Sequence, residues 1–172
     1  TGDTVVNTKL YVRVDQTDGG ARPAPNSVTL NSGSVLRFRD SDGFHTDETV
    51  TNWDITSNGG TVDLADDNAG VVGGTLAVNA ETTLFMNPDG RWDATGQIGC
   101  TITGVADLVV TDNGAVDNSQ GGDLSQWARV EFTADNSSFT GDLRVMKTPL
   151  AGDPIDLVAV GDAANSLGAG NN

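Results

Sequence analysis

The chain has 172 residues, with 24 acidic and 9 basic side chains and a formal net charge of −15. This charge excludes a nucleic-acid binder that works by neutralising phosphates, because such proteins present clustered Lys and Arg. No stretch approaches the roughly 18 consecutive apolar residues of a membrane-spanning helix. The length predicts a single domain over residues 1–172, which we expect to be a segment of a longer repeat protein or a polymerising subunit.

The acidic residues are almost all of one type, because every acidic side chain except Glu48, Glu81 and Glu131 is Asp. Asp favours turns and is a poor helix former, whereas Glu is the reverse. Few segments carry apolar residues at the helical spacing. The sequence therefore predicts an all-β chain with little or no helix.

The first clear strand is the alternating segment LYVRV, which contains no proline. A strand at the edge of a sheet presents unpaired backbone groups that another chain can pair with. Neither end of the sequence has the pattern of a capping helix. We therefore expect the chain to self-associate end to end or to continue into its parent protein, and the predicted assembly edge comprises Leu10, Tyr11, Val12 and Val14.

A unit of strand, polar turn and strand recurs along the chain. It is VTLNSGSVLRF at 28–38 and LAVNAETTLFM at 76–86. Strands this short cannot bury a sheet face alone, so burial has to come from stacking one unit on the next. The repetition predicts a β-solenoid.

Two clusters of aspartates lie between the predicted strands. Asp40 and Asp42 belong to one, and Asp66 and Asp67 to the other. Clustered carboxylates suit calcium, so these four residues are candidate calcium ligands. The spacing of an EF-hand is absent, and turn formation explains the same aspartates without a metal. No cofactor is required by any motif, and calcium is the one ion that the residues suggest.

Three tryptophans, Trp53, Trp92 and Trp127, are spaced by 39 and 35 residues. If one turn of the solenoid takes about 20 residues, they lie two turns apart and form one aromatic column. Such a column can fill the core, or its rings can stack on sugars. The second interpretation leads to an alternative, a carbohydrate-binding β-sandwich module with the three tryptophans as its platform, and the partner it suggests is a cell-surface polysaccharide.

No catalytic constellation is present in the sequence. His45 is the sole histidine and lies in a polar loop, and no Gly-x-Ser-x-Gly elbow occurs. The single cysteine, Cys100, stands where strand alternation would bury it as a core residue. We therefore expect a protein that is not an enzyme, with a β-helical polysaccharide-degrading enzyme as a third class.

The C-terminal third carries a resemblance. The run VEFTADNSSFTGDLRV at 130–145, followed by ANSLGAG at 164–170, resembles the autotransporter-associated β-strand repeat of bacterial passenger domains. Asn136, Phe139, Thr140 and Gly141 match that family's Asn-x-aromatic-Thr-Gly turn with one extra residue. The family's Gly-Thr-Leu after the second strand is replaced here by Thr-Pro-Leu at 148–150.

The resemblance implies a right-handed parallel β-helix on a secreted or bacterial cell-surface protein, and it implies no enzyme activity. The function expected is that of a structural or adhesive rod, an adhesin segment or a filament subunit. Within this segment, alternation predicts that four residues point into the core. They are Val110, Val130, Phe132 and Val145.

Overall fold

The computed structural model describes residues 2–13, 27–39, 49–65, 70–87, 94–112, 127–146, 156–161 and 167–168. Within these ranges the chain forms strands and turns and no helix, so the all-β prediction is confirmed for them. It follows that this part of the chain contains no helix that could cross a membrane.

Thirteen strands are present in the described residues. They are β1 (Thr4–Val6), β2 (Lys9–Arg13), β3 (Val28–Leu30), β4 (Val35–Arg39), β5 (Thr49–Asn58), β6 (Thr61–Ala65), β7 (Gly70–Ala80), β8 (Thr82–Asn87), β9 (Ala94–Gly104), β10 (Leu108–Asp112), β11 (Trp127–Phe132), β12 (Leu143–Met146) and β13 (Asp156–Gly161).

The strands separate into two parallel sheets according to their place in the chain. The seven odd-numbered strands form one sheet in the order β1-β3-β5-β7-β9-β11-β13, and the six even-numbered strands form the other from β2 to β12. Each strand therefore pairs with the strand two further along, and the chain alternates between the sheets. The pairings among the described strands are all parallel, whereas the β-sandwich of the alternative interpretation needs antiparallel pairs. That alternative fold is wrong for these strands.

Short polar turns carry the chain from an odd strand to the next even strand. Between β3 and β4, the Ser34 amide donates to the Asn31 carbonyl at 2.9 Å and Gly33 has a φ of 74°. At the following turn, a Cβ on Gly60 would lie 2.8 Å from the Cβ of Leu30, so only glycine fits between these layers. These glycine and asparagine positions allow the sharp change of direction.

The core lies between the two sheets and consists of in-register columns of apolar side chains. Val110, Val130 and Phe132 are buried in it, as alternation predicts. Cys100 is buried as well, which confirms its predicted place as a core residue.

The predicted burial of Val145 is wrong, since this side chain is 45% exposed. Val145 pairs in register with the fully buried Val110, so both side chains lie on the same face of their sheet. The difference is that β12 is the last strand of the even sheet, and no described strand lies beyond it. Alternation along a strand determines on which face of the sheet a side chain lies, but burial of that side chain also requires a neighbouring strand on each side.

The repeat is longer and less regular than the predicted 20 residues. Stacked asparagines on successive odd strands lie 24, 27 and 21 residues apart. Further along, Asn136 contacts Ile102, which is 34 residues earlier. Segments of variable length between the strands account for these differences.

Candidate functional site: side-chain ladders and open sheet edges

Four asparagines form a ladder where the first four odd strands end. Asn31 donates from Nδ2 to Oδ1 of Asn7 at 2.7 Å, Asn58 donates to Asn31 at 3.5 Å, and Asn79 donates to Asn58 at 3.1 Å. Stacked amides of this kind fix the register of parallel strands, because each side chain is both donor and acceptor. The ladder therefore holds β1, β3, β5 and β7 in line.

Hydroxyl groups make a second set of bonds between neighbouring odd strands. Ser27 donates from Oγ to Asp3, and Thr75 donates from Oγ1 to Asp54, both at 2.9 Å. In each case the later residue donates to the earlier one, which is also the direction of the asparagine ladder. These bonds connect residues at β1, β3, β5 and β7 in one direction.

A different corner lies in the segment that resembles the autotransporter repeat. Asn136 is buried, and its Oδ1 accepts a hydrogen bond from the Ile102 amide at 2.6 Å. Phe139 is buried beside it and bridges to Gly104. A Cβ on Gly168 would lie 2.8 Å from the Phe139 ring, so the glycine allows the following layer to pack against that ring. Two residues of the matched motif, Asn136 and Phe139, are therefore part of the packed interior.

A charged cluster connects three even strands near their amino ends. Arg144 bonds to the Glu81 carboxylate and lies 3.2 Å from the Asp107 carboxylate. The Asp142 amide donates to Asp107 at 3.4 Å. With one cation and the two carboxylates of Glu81 and Asp107, the cluster has a formal charge of −1.

The predicted assembly edge lies largely on β2, the outermost described strand of the even sheet. Leu10 and Val12 are half-buried and pack against the core, whereas Tyr11 is 55% exposed. The Lys9 ammonium lies 5.4 Å from the centre of the Tyr11 ring. Val14 lies outside the described residues.

Trp53 lies in the core, where it is 8% exposed and packs edge-on against Phe38 with 5.8 Å between ring centres. Its partner in the neighbouring strand, one turn along, is Gly74. A buried ring has no free face for a sugar, which makes the platform interpretation wrong for Trp53. Trp92 lies outside the described residues, and of Trp127 the structure describes only the backbone position, at the start of β11.

The candidate calcium ligands Asp40, Asp42, Asp66 and Asp67 lie outside the described residues, as does His45. Among the residues that the structure does describe, no group of three or more His, Cys, Asp or Glu side chains could hold a metal ion. Burial raises the pKa of the Cys100 thiol to about 12, so the nucleophilic thiolate is strongly disfavoured at neutral pH.

Sequence reasoning missed the asparagine ladder, the hydroxyl bonds and the Arg144 cluster. The ladder had a readable signal, because an asparagine directly follows the last inward residue of β1, β3, β5 and the equivalent part of β7. The Arg144 cluster had no such signal, since Glu81 and Arg144 are 63 residues apart. Together, these side chains align the described strands.

Comparison of the chain with protein-family models, with curated proteins and with solved structures gives no match.

Proposed function

We propose that the chain is a right-handed parallel β-helix of a secreted or bacterial cell-surface protein. In this proposal it acts as a structural or adhesive element, namely a surface rod, an adhesin segment or a filament subunit. The observation that carries the proposal is the pairing of each strand with the strand two further along, through both sheets. A chain that winds around a common axis would produce this order.

The side-chain ladders support a structural role. Asn7, Asn31, Asn58 and Asn79 form bonds to one another, and the buried hydroxyls of Ser57 and Thr82 lie 2.8 Å apart. These polar groups stabilise the stacking of strands. The right-handed sense rests on the resemblance of residues 130–170 to the autotransporter repeat and on the general handedness of parallel connections.

The proposed location outside the cell rests on the resemblance to the autotransporter repeat. The net charge of −15 is suited to solubility and to diffuse binding of cations, including calcium. Self-association through the sheet edges, or continuation of the parent chain, would give the rod its length.

The structural role is tested against the two other classes by exposing the purified 172-residue chain to a panel of polysaccharides and soluble oligosaccharides. We expect no release of new reducing ends and no saturable change in tryptophan fluorescence, because Trp53 lies in the core. Release of reducing ends would establish an enzyme. A saturable fluorescence change that is lost in Trp92→Ala would establish a sugar-binding module.

A further inference from the structure

Large apolar side chains on the surface are concentrated on outermost strands. Six such side chains are exposed in the described residues, and four of them lie on β1, β2 or β12. These four are Val5 at 58%, Tyr11 at 55%, Val145 at 45% and Met146 at 53% exposed. An apolar surface that recurs at both ends of one stack points to contacts made there.

One column of the even sheet shows the pattern directly. Leu10, on β2, pairs with Leu36, and the column continues in register through β6, β8 and β10 to Val145 on β12. Its four middle members are buried, and they are Leu36, Val62, Leu84 and Val110. The two outer members are not, since Leu10 is half-buried and Val145 is exposed. The column is apolar throughout, and no described strand pairs with β2 or β12 on its outer side.

We propose that these two ends are complementary halves of one interface, through which the β2 edge of one copy of this chain binds the β12 edge of a second copy. This inference rests on the proposed β-helix and adds the partner surface and its direction. Every described pairing is parallel and joins an earlier strand to a later one. If two copies pair in the same way, β2 of one copy lies against β12 of the other, and β2 does not lie against β2. The occupant proposed for each end is the opposite end of another copy of this chain.

Side-chain chemistry at the two edges favours the same arrangement. Continuing the register places Leu10 next to Val145 and Tyr11 next to Met146, which extends one apolar column and forms a sulfur–aromatic pair. In the same register Lys9 comes next to Arg144, whose guanidinium pairs with the carboxylates of Glu81 and Asp107. These two carboxylates balance the two cations in formal charge.

A contact between two different surfaces does not close on itself, so repeated binding yields an open filament. The net charge of −15 opposes association of the chains. Salt screens such repulsion, and divalent cations neutralise it locally. We therefore expect association to rise with ionic strength and with millimolar calcium.

The inference is tested with two cysteine variants of the full chain, Tyr11→Cys and Met146→Cys. Neighbouring strands lie about 4.8 Å apart, which falls within the separation that a disulfide spans. Under mild oxidation in high salt, we expect a mixture of the two variants to form a disulfide-linked dimer, and each variant alone to remain at background. The double variant should form a ladder of oligomers. The native Cys100 is buried and should not interfere.

The matched control is Val105→Cys, because Val105 is 80% exposed but does not lie on either outermost edge. Circular dichroism of each variant establishes that it is folded. If the mixture of folded Tyr11→Cys and Met146→Cys cross-links no more than Val105→Cys does, the proposed interface is wrong. That result would leave the β-helix unaffected. Equally strong linkage of Tyr11→Cys to itself would overturn the head-to-tail direction. A helical spectrum of the unmodified chain would overturn the β-helix and the interface together.

Discussion

Single asparagines connect the ends of the first four strands of the odd sheet. Asn58 lies inside the ladder, where its Nδ2 donates to Asn31 and its Oδ1 accepts from Asn79, whereas Asn7 at the end makes one ladder bond. The abundance of Asn in turns could be read from the sequence. The sequence also shows an asparagine directly after the last inward residue of these strands, but the number of residues between members of the column could not be predicted, because it varies from one layer to the next.

We expect Asn58→Ala to lower the free energy of unfolding by about 2 kcal/mol, because two hydrogen bonds are lost at about 1 kcal/mol each. Asn7→Ala should cost about 1 kcal/mol. Urea denaturation of both variants beside the wild-type protein measures the difference. Equal losses in the two variants would contradict a ladder in which each bond contributes separately.

The thiol of Cys100 provides a test of burial at a single residue. Its pKa is raised to about 12 from an ordinary value of 9.0, so the unfolded chain releases the thiol proton first as the pH rises. This thiol therefore stabilises the fold fully below pH 9, and its contribution is lost as the pH rises toward 12. Iodoacetamide at pH 8 should leave the native protein unmodified and alkylate the urea-unfolded protein. Rapid alkylation of the native protein would contradict the burial.

At the scale of the strand, position in the sheet matters as much as sequence pattern. The segment 143–146 alternates as a buried strand does, and the pattern alone predicts the facing of Val145 correctly through its register with Val110. Its exposure follows from β12 being the outermost described strand. The pattern within a strand does not show how many strands lie beyond it in the sheet. The exposure of Val145 could therefore not be predicted from the sequence.

A matched pair of substitutions separates the effect of the sequence pattern from the effect of the strand's position in the sheet. Val110→Asp should lower stability by several kcal/mol or prevent folding, because the carboxylate would be buried without a partner. Val145→Asp should be tolerated with a loss below about 1 kcal/mol, because solvent reaches that site. Thermal unfolding monitored by circular dichroism measures both. A severe loss in Val145→Asp together with a mild one in Val110→Asp would show that the order of strands in the even sheet is wrong.

At the scale of the whole molecule, composition and the repeated strand-turn-strand unit were enough to predict an all-β chain. They could not give the length of each repeat. The short turns from odd to even strands have a recognisable Asn and Gly composition, whereas the segments from even to odd strands vary in length. The predicted tryptophan column, with its members two turns apart, stays a prediction because Trp92 lies outside the described residues. The parallel order of strands, by contrast, follows from units too short to bury a sheet alone, which then have to stack.

Each strand pairs in parallel with the strand two further along and not with its immediate successor. Interstrand nuclear Overhauser contacts in the isotope-labelled chain distinguish these two arrangements. We expect backbone contacts between Val28 and Ile55 and between Ile55 and Leu76. Contacts that instead join β3 to β4 as an antiparallel hairpin, with Leu30 opposite Val35, would contradict this order of strands.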